Sequence, residues 1–208
     1  SGVDDRLAFA IPIYGCGHIA ESFTDFRNSI CRPESTEKWD PSHFAAKARM
    51  PVLYINGNAD DFFSLNMTSE TYLDTPYAQM AIYDGLAHSQ EAGEAVLQAY
   101  AFAEKTALGK NFMPRATVTS AGNHKFAVKI EKAEVKRGVF YFHTSEDLQY
   151  ATGGKPAWKT VTEYECESGH IVFHCPPEAV YGYATFKIAE EEYISTPYTR
   201  LLPPTPCL

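Results

Sequence analysis

Hydrophobic and polar positions change their rhythm near residue 110. Before that point, short continuous apolar runs alternate with longer stretches of helical period. "LAFAIPIYG" (Leu7–Gly15), "PVLYING" (Pro51–Gly57) and "AQMAIYDG" (Ala78–Gly85) each read as a strand buried on both faces and stopped by glycine. Between the first two, "WDPSHFAAKAR" offers Asp40 and Pro41 as a helix N-cap and first helical residue. "LNMTSETYLDT" predicts a short helix, and "SQEAGEAVLQAYAFAEKTALG" a longer one that Gly109 stops. Strands alternating with helices predict an α/β unit over residues 1–109.

Beyond a linker at "ALGKNFMPRA" (Ala107–Ala116), the period shortens to two. "TVTSAGNHKFAVKIEKAEVKRGVFYFHTSED", "KTVTEYECESGHIVFHC" and "YGYATFKIAEEEYIS" alternate apolar with polar residues and are rich in Val, Thr, Tyr and Phe. The pattern predicts about seven short strands in an immunoglobulin-like β-sandwich over 110–208. The tail "LLPPTPCL" is too rich in proline to enter a sheet interior. Trp158, Tyr164, Phe173, Tyr181 and Tyr183 suit the sandwich core, with a carbohydrate-binding platform as the less favoured alternative.

Charge separates the same two regions. Residues 1–108 hold 7 Lys+Arg against 15 Asp+Glu, whereas residues 109–208 balance at 11 of each. Neither region has a basic patch, so nucleic acid is not an expected partner. No apolar run is long enough to span a bilayer, so none is expected to enter one. The five cysteines (Cys16, Cys31, Cys166, Cys175, Cys207) form no CxxC pair, and their odd number leaves at least one unpaired. A Cys166–Cys175 bridge across a hairpin is one arrangement; scattered free thiols are the favoured one. His170 and His174 would share one face of a strand beside Cys175, but no fourth ligand stands at a convincing spacing. No metal and no cofactor are expected.

Candidate chemistry lies where the first region's strands end. In an open α/β sheet, ligands bind at the C-terminal ends of the strands. Asp60 follows Gly57 by three residues, and His88 follows Gly85 by three. One crossover helix separates the two strands, which makes them expected neighbours. A carboxylate and an imidazole presented from adjacent strand ends suit the acid–base pair of a nucleophilic hydrolase. Asp61 is the adjacent alternative to Asp60. The plainer alternative is an Asp capping the next helix and a histidine in a solvated loop. Cys16 and His18, in "YGCGHI" at the end of the first run, are candidates to line the substrate site, although turn geometry alone accounts for Gly15 and Gly17. Phe62 and Phe63 read as loop packing rather than as a sugar-gripping pair.

"FAIPIYGCGHIAE", "WDPSHFAAKARMPVLYINGNADDFFSL" and "GLAHSQEAGEA" together resemble the second half of the α/β-hydrolase domain of dienelactone-hydrolase-like and acetyl-xylan-esterase-like proteins. The β-rich tail, with "AWKTVTEY", is similar to the small sandwich appended to many such esterases, though more weakly. The resemblance implies that Asp60, favoured over Asp61 by the "GNAD" spacing, is the acid of a catalytic triad and His88 its base. It implies an ester substrate, with an acetylated polysaccharide the nearest guess, and a secreted or periplasmic location.

The family's nucleophile sits in G-x-S-x-G, ahead of the acid and base. No serine in this chain has that context. The expectation is therefore that the nucleophile and the earlier strands lie on a preceding segment or a second chain, and that this chain alone is inactive. An unpaired sheet edge would then await its neighbour or drive self-association. The rival expectation is a non-catalytic glycan- or protein-binding module on a degenerate hydrolase scaffold.

Overall fold

A computed structural model describes residues 2–22, 32–145, 158–167 and 169–201. The chain divides into two compact units, the first reaching Met113 and the second starting at Pro114.

The first unit mixes helices with parallel strands. Strand β1 (Val52–Ala59) pairs in parallel with β2 (Ala78–Ala87). Helices α1 (Pro33–Trp39) and α2 (Ser42–Ala45) precede β1, α3 (Leu65–Asp74) connects the two strands, and α4 (Gln90–Glu94) and α5 (Leu97–Ala107) follow. All of β1 except Ala59 is buried, as a strand covered on both faces requires. Helix α3 lies on the sheet and buries Leu65, Met67, Thr68 and Tyr72.

Three expectations need correction here. The run Leu7–Gly15 is not a doubly buried strand. It makes two isolated parallel bridges to β1, Ala10 with Val52 and Ile13 with Ile55, and Leu7 is 44% exposed. Residues 10, 12 and 14 face β1: Ala10 N–H donates to Pro51, Tyr14 N–H to Ile55, and Pro12 C=O accepts from Ile55. Proline has no N–H to donate at the middle of this ladder, so the pairing splits in two. Second, the helix expected from Asp40 is a single turn that opens at Ser42, and α1 lies ahead of it. Third, the long helix before Gly109 breaks at Ala95–Val96, and Leu97 and Tyr100 of α5 are exposed, as is Leu108 at its C-cap.

The second unit is antiparallel. Its strands in chain order are β3 (Arg115–Gly122), β4 (Lys125–Glu131), β5 (Arg137–His143), β6 (Lys159–Val161), β7 (Glu165–Glu167), β8 (His170–His174), β9 (Tyr181–Ala189), β10 (Glu192–Ser195) and β11 (Thr199–Arg200). One sheet runs β10–β9–β5–β6, with β11 also on β9; the other runs β3–β4–β8–β7. That is nine strands among the described residues, because β6, β7 and β11 are too short to show as alternation. Asn123 and His124, at φ 50° and 60°, close the β3–β4 hairpin in the double left-handed turn that matches strand twist.

Both sheets feed one apolar cluster: Phe126, Val128, Ile171 and Phe173 from one, Phe140, Phe142, Ala184 and Phe186 from the other. Strand period two then sends the intervening residues to the opposite face of each sheet. The five aromatics expected together in a core are thus divided. Phe173 is in the cluster and Tyr164 packs against it, while Tyr181 and Tyr183 alternate with Ala184 and Phe186 and take the opposite face. There a second aromatic group forms, with Trp158 edge-on to Tyr183 and His143, and Tyr181 stacked 5.3 Å from Tyr198.

Candidate active site

The loop after β1 is built by two buried polar side chains, Asn56 and Asp60. Asn56 donates to Phe63 O at 2.9 Å and to Thr68 Oγ1 at 2.7 Å, and its own Oδ1 accepts from Gly57 N–H. Asp60 Oδ1 accepts the N–H groups of Phe62 (2.8 Å) and Phe63 (3.0 Å). Together they fold residues 60–63 into a tight turn ahead of α3. The N-cap of α3 is Ser64 and Asp61 is exposed, so the carboxylate that organises this turn is Asp60 and Asp61 does not cap the helix.

Strand β2 does not stop at Gly85. Gly57 pairs with Tyr83 and Ala59 with Ala87, so Asn58 alone stands opposite Asp84, Gly85 and Leu86. This bulge is pinned by Asn58, which donates to Asp84 Oδ1 and accepts from Gly85 N–H, both at 2.8 Å. Gly85 takes φ +73°, a conformation open to glycine, and a Cβ on Gly57 would lie 1.9 Å from Leu86 O. The ladder resumes at Ala59–Ala87, and the next residue on each strand is Asp60 and His88.

His88 Nδ1 lies 3.2 Å from both oxygens of Asp60. The Asp60 side chain has no solvent exposure, whereas that of His88 is 28% exposed. Burial pushes the Asp60 carboxyl above its ordinary range, against the opposing pull of the Phe62 and Phe63 amides and His88. Three rings surround the imidazole: Tyr14 at 4.6 Å, Phe62 at 4.7 Å and Phe63 at 5.6 Å between centroids. Phe62 and Phe63 therefore pack on the histidine as well as on their loop. A carboxylate at Nδ1 holds the ring in the tautomer that leaves Nε2 free to take a proton.

Cys16 lies close enough to feel the Asp60 charge, whereas His18 is held at the other end of α3. Cys16 is buried, its sulfur accepts from Thr68 of α3, and burial pushes its thiol up to about 12. His18 spans Glu21 (3.2 Å) and Asp74 (2.8 Å) at the C-terminal end of α3. At ~1.5 Å per residue, that end is about 13 Å along the axis from Leu65, where the helix leaves the Asp60 turn. Burial opposes the imidazolium of His18, but the Asp74 and Glu21 carboxylates outweigh it and raise its pKa. No hydrogen bond or ring contact among the described residues joins either side chain to Asp60 or His88.

His170 and His174 do share the outward face of β8, with His174 3.7 Å from Glu165. No cluster of three potential metal ligands occurs among the described residues. Cys166 is exposed, Cys175 is buried, and both are free thiols; Cys31 and Cys207 lie outside the described residues.

Asn58 and Tyr14 carry roles that their sequence surroundings barely mark. A polar residue inside "INGNAD" is the only local sign of the bulge, and nothing local to "PIYG" points to a histidine 74 positions away. No protein-family model matches the sequence, and no curated protein matches it.

Proposed function

We propose that this chain supplies the acid and base of a serine carboxylic-ester hydrolase, with the nucleophilic serine on a segment outside these 208 residues. His88 is the general base and then the general acid, and Asp60 orients it. The observation that carries this reading is a fully buried carboxylate placed at Nδ1 of a solvent-reachable imidazole. Buried ionisable pairs of this kind, with one member shifted by burial, concentrate at functional sites.

In this reading the first unit is part of an α/β-hydrolase sheet and the second a β-sandwich of immunoglobulin type. The open edge at residues 9–13 supports it. Phe9, Ile11 and Ile13 turn their backbone groups away from β1, and no backbone partner meets them among the described residues. Natural edges are blunted by charge or proline. Here the missing N–H of Pro12 falls on the paired side, so the outer edge keeps every donor and is fit to receive another strand. An ester of a plant polysaccharide is the substrate class that the sequence resemblance favours.

The test is to read the coding region upstream of Ser1 and to express what it encodes together with this chain. A G-x-S-x-G segment is expected there, and its product should hydrolyse p-nitrophenyl acetate. His88→Ala should lower kcat by roughly 10⁴-fold. Absence of such a serine, or hydrolysis indifferent to His88, would defeat the reading.

A further inference from the structure

Tyr14 makes an unusual set of contacts for a residue in an apolar run. Its φ is +66°, a left-handed conformation that a bulky residue rarely adopts and that clusters at functional sites. Its hydroxyl donates to Ala87 O at 2.9 Å and shares the same proton with Ser89 O at 3.2 Å. Those two carbonyls flank His88 directly. Its ring is 4.6 Å from the imidazole, and Tyr14 is itself 7% exposed. Space for the ring is kept by Gly93 of α4, where a Cβ would stand 3.1 Å from Tyr14 Cε2.

We infer that Tyr14 is a positioning residue for His88, its hydroxyl clamping the backbone on both sides of the histidine and its ring bracing the imidazole against Asp60. The inference rests on the Asp60–His88 reading above. Asp60 alone constrains one ring nitrogen, whereas the backbone of His88 sits just past the bulge, at the end of the paired ladder. The hydroxyl of Tyr14 replaces the ladder bonds that would otherwise stop at Ala87. A left-handed backbone at position 14 turns the side chain to reach there, which accounts for conformational strain at a tyrosine.

The test uses the 208-residue chain with ¹⁵N-labelled histidine, His88 being assigned by the signal lost in His88→Gln. The wild type is expected to hold a single tautomer, protonated at Nδ1, with that proton protected from exchange. Tyr14→Phe keeps the ring and removes only the hydroxyl. It should mix the two tautomers and lose the Nδ1 proton signal to exchange, while second-unit amide signals stay in place. A Tyr14→Phe variant that melts earlier yet keeps the tautomer and the protected proton would overturn the inference, because a purely structural tyrosine behaves that way. Asp60→Asn is read in parallel. If Asp60→Asn changes the His88 ring and Tyr14→Phe does not, the pair stands and the positioning role falls. If Asp60→Asn leaves the ring unchanged, the Asp60–His88 pair itself is refuted, and the clamp inference with it.

Discussion

Ala59 and Ala87 face each other across the parallel ladder although the segments leading to them differ in length, one residue after Gly57 on β1 and three after Tyr83 on β2. The site depends on this mismatch, since it sets which residues leave the two strands side by side. Asn58→Ala removes both groups that hold the bulge, the donor to Asp84 and the acceptor of the Gly85 N–H. The expected cost is about 1–3 kcal/mol in urea unfolding of the first unit. Contacts between His88 and Asp60 should weaken in the same variant.

Asp60→Asn should be neutral or stabilising at neutral pH, although it spoils the site. The folded carboxyl is raised by burial, so the fold favours its protonated form. Its contribution is therefore fully present below the unfolded value of about 3.9 and lost as pH rises through the folded value. Asparagine keeps an oxygen for the Phe62 and Phe63 amides and carries no charge. Urea midpoints for wild type and variant should converge as the pH approaches the carboxylate range. A variant much less stable than wild type at neutral pH would contradict this.

His143 predicts an acid-sensitive second unit. It is 3% exposed, and burial lowers its pKa below the ordinary histidine value, so the fold favours neutral imidazole. Stability is fully present above the unfolded value near 6.5 and lost as pH falls through the folded one. His143→Phe should flatten that dependence, followed by Trp158 fluorescence, since Trp158 packs edge-on against His143.

Thiol chemistry should sort the described cysteines by burial. Under native conditions iodoacetamide is expected to modify the exposed Cys166 and to spare Cys16 and Cys175, both pushed up to about 12 by burial. Peptide mass mapping reads the result, and denaturant should expose the protected pair. Native-state modification of Cys16 would refute its placement under α3.

Phe140→Ala should cost about 3–5 kcal/mol in the second unit. Phe140 is fully buried among Phe126, Phe142 and Phe173. Gly182 accommodates its ring so closely that an added Cβ would stand 2.5 Å from it. Chemical denaturation measures the loss.

Local patterning along the chain is enough to give the kind of local structure and the inventory of chemistry. Apolar runs between helical stretches marked the parallel unit, period two marked the antiparallel one, and Asp60 and His88 stood out because each follows an apolar run. These are properties of a residue and its near neighbours. The tertiary structure decided everything that depends on pairing across the chain. Gly85 reads as a strand's end until Asn58, on another strand, holds it inside a bulge. Leu7–Gly15 reads as a core strand until one side of it is seen to lack a neighbour and the missing N–H of Pro12 is found to face β1. The aromatic residues of β9 read as one group until register sends Phe186 into the apolar cluster and Tyr183 to the opposite face of the sheet. Tyr14 meets His88 only because the ladder brings the run before β1 alongside the end of β2. Strand register is a non-local quantity, fixed by which faces and bulges fit together, and no window of sequence contains it.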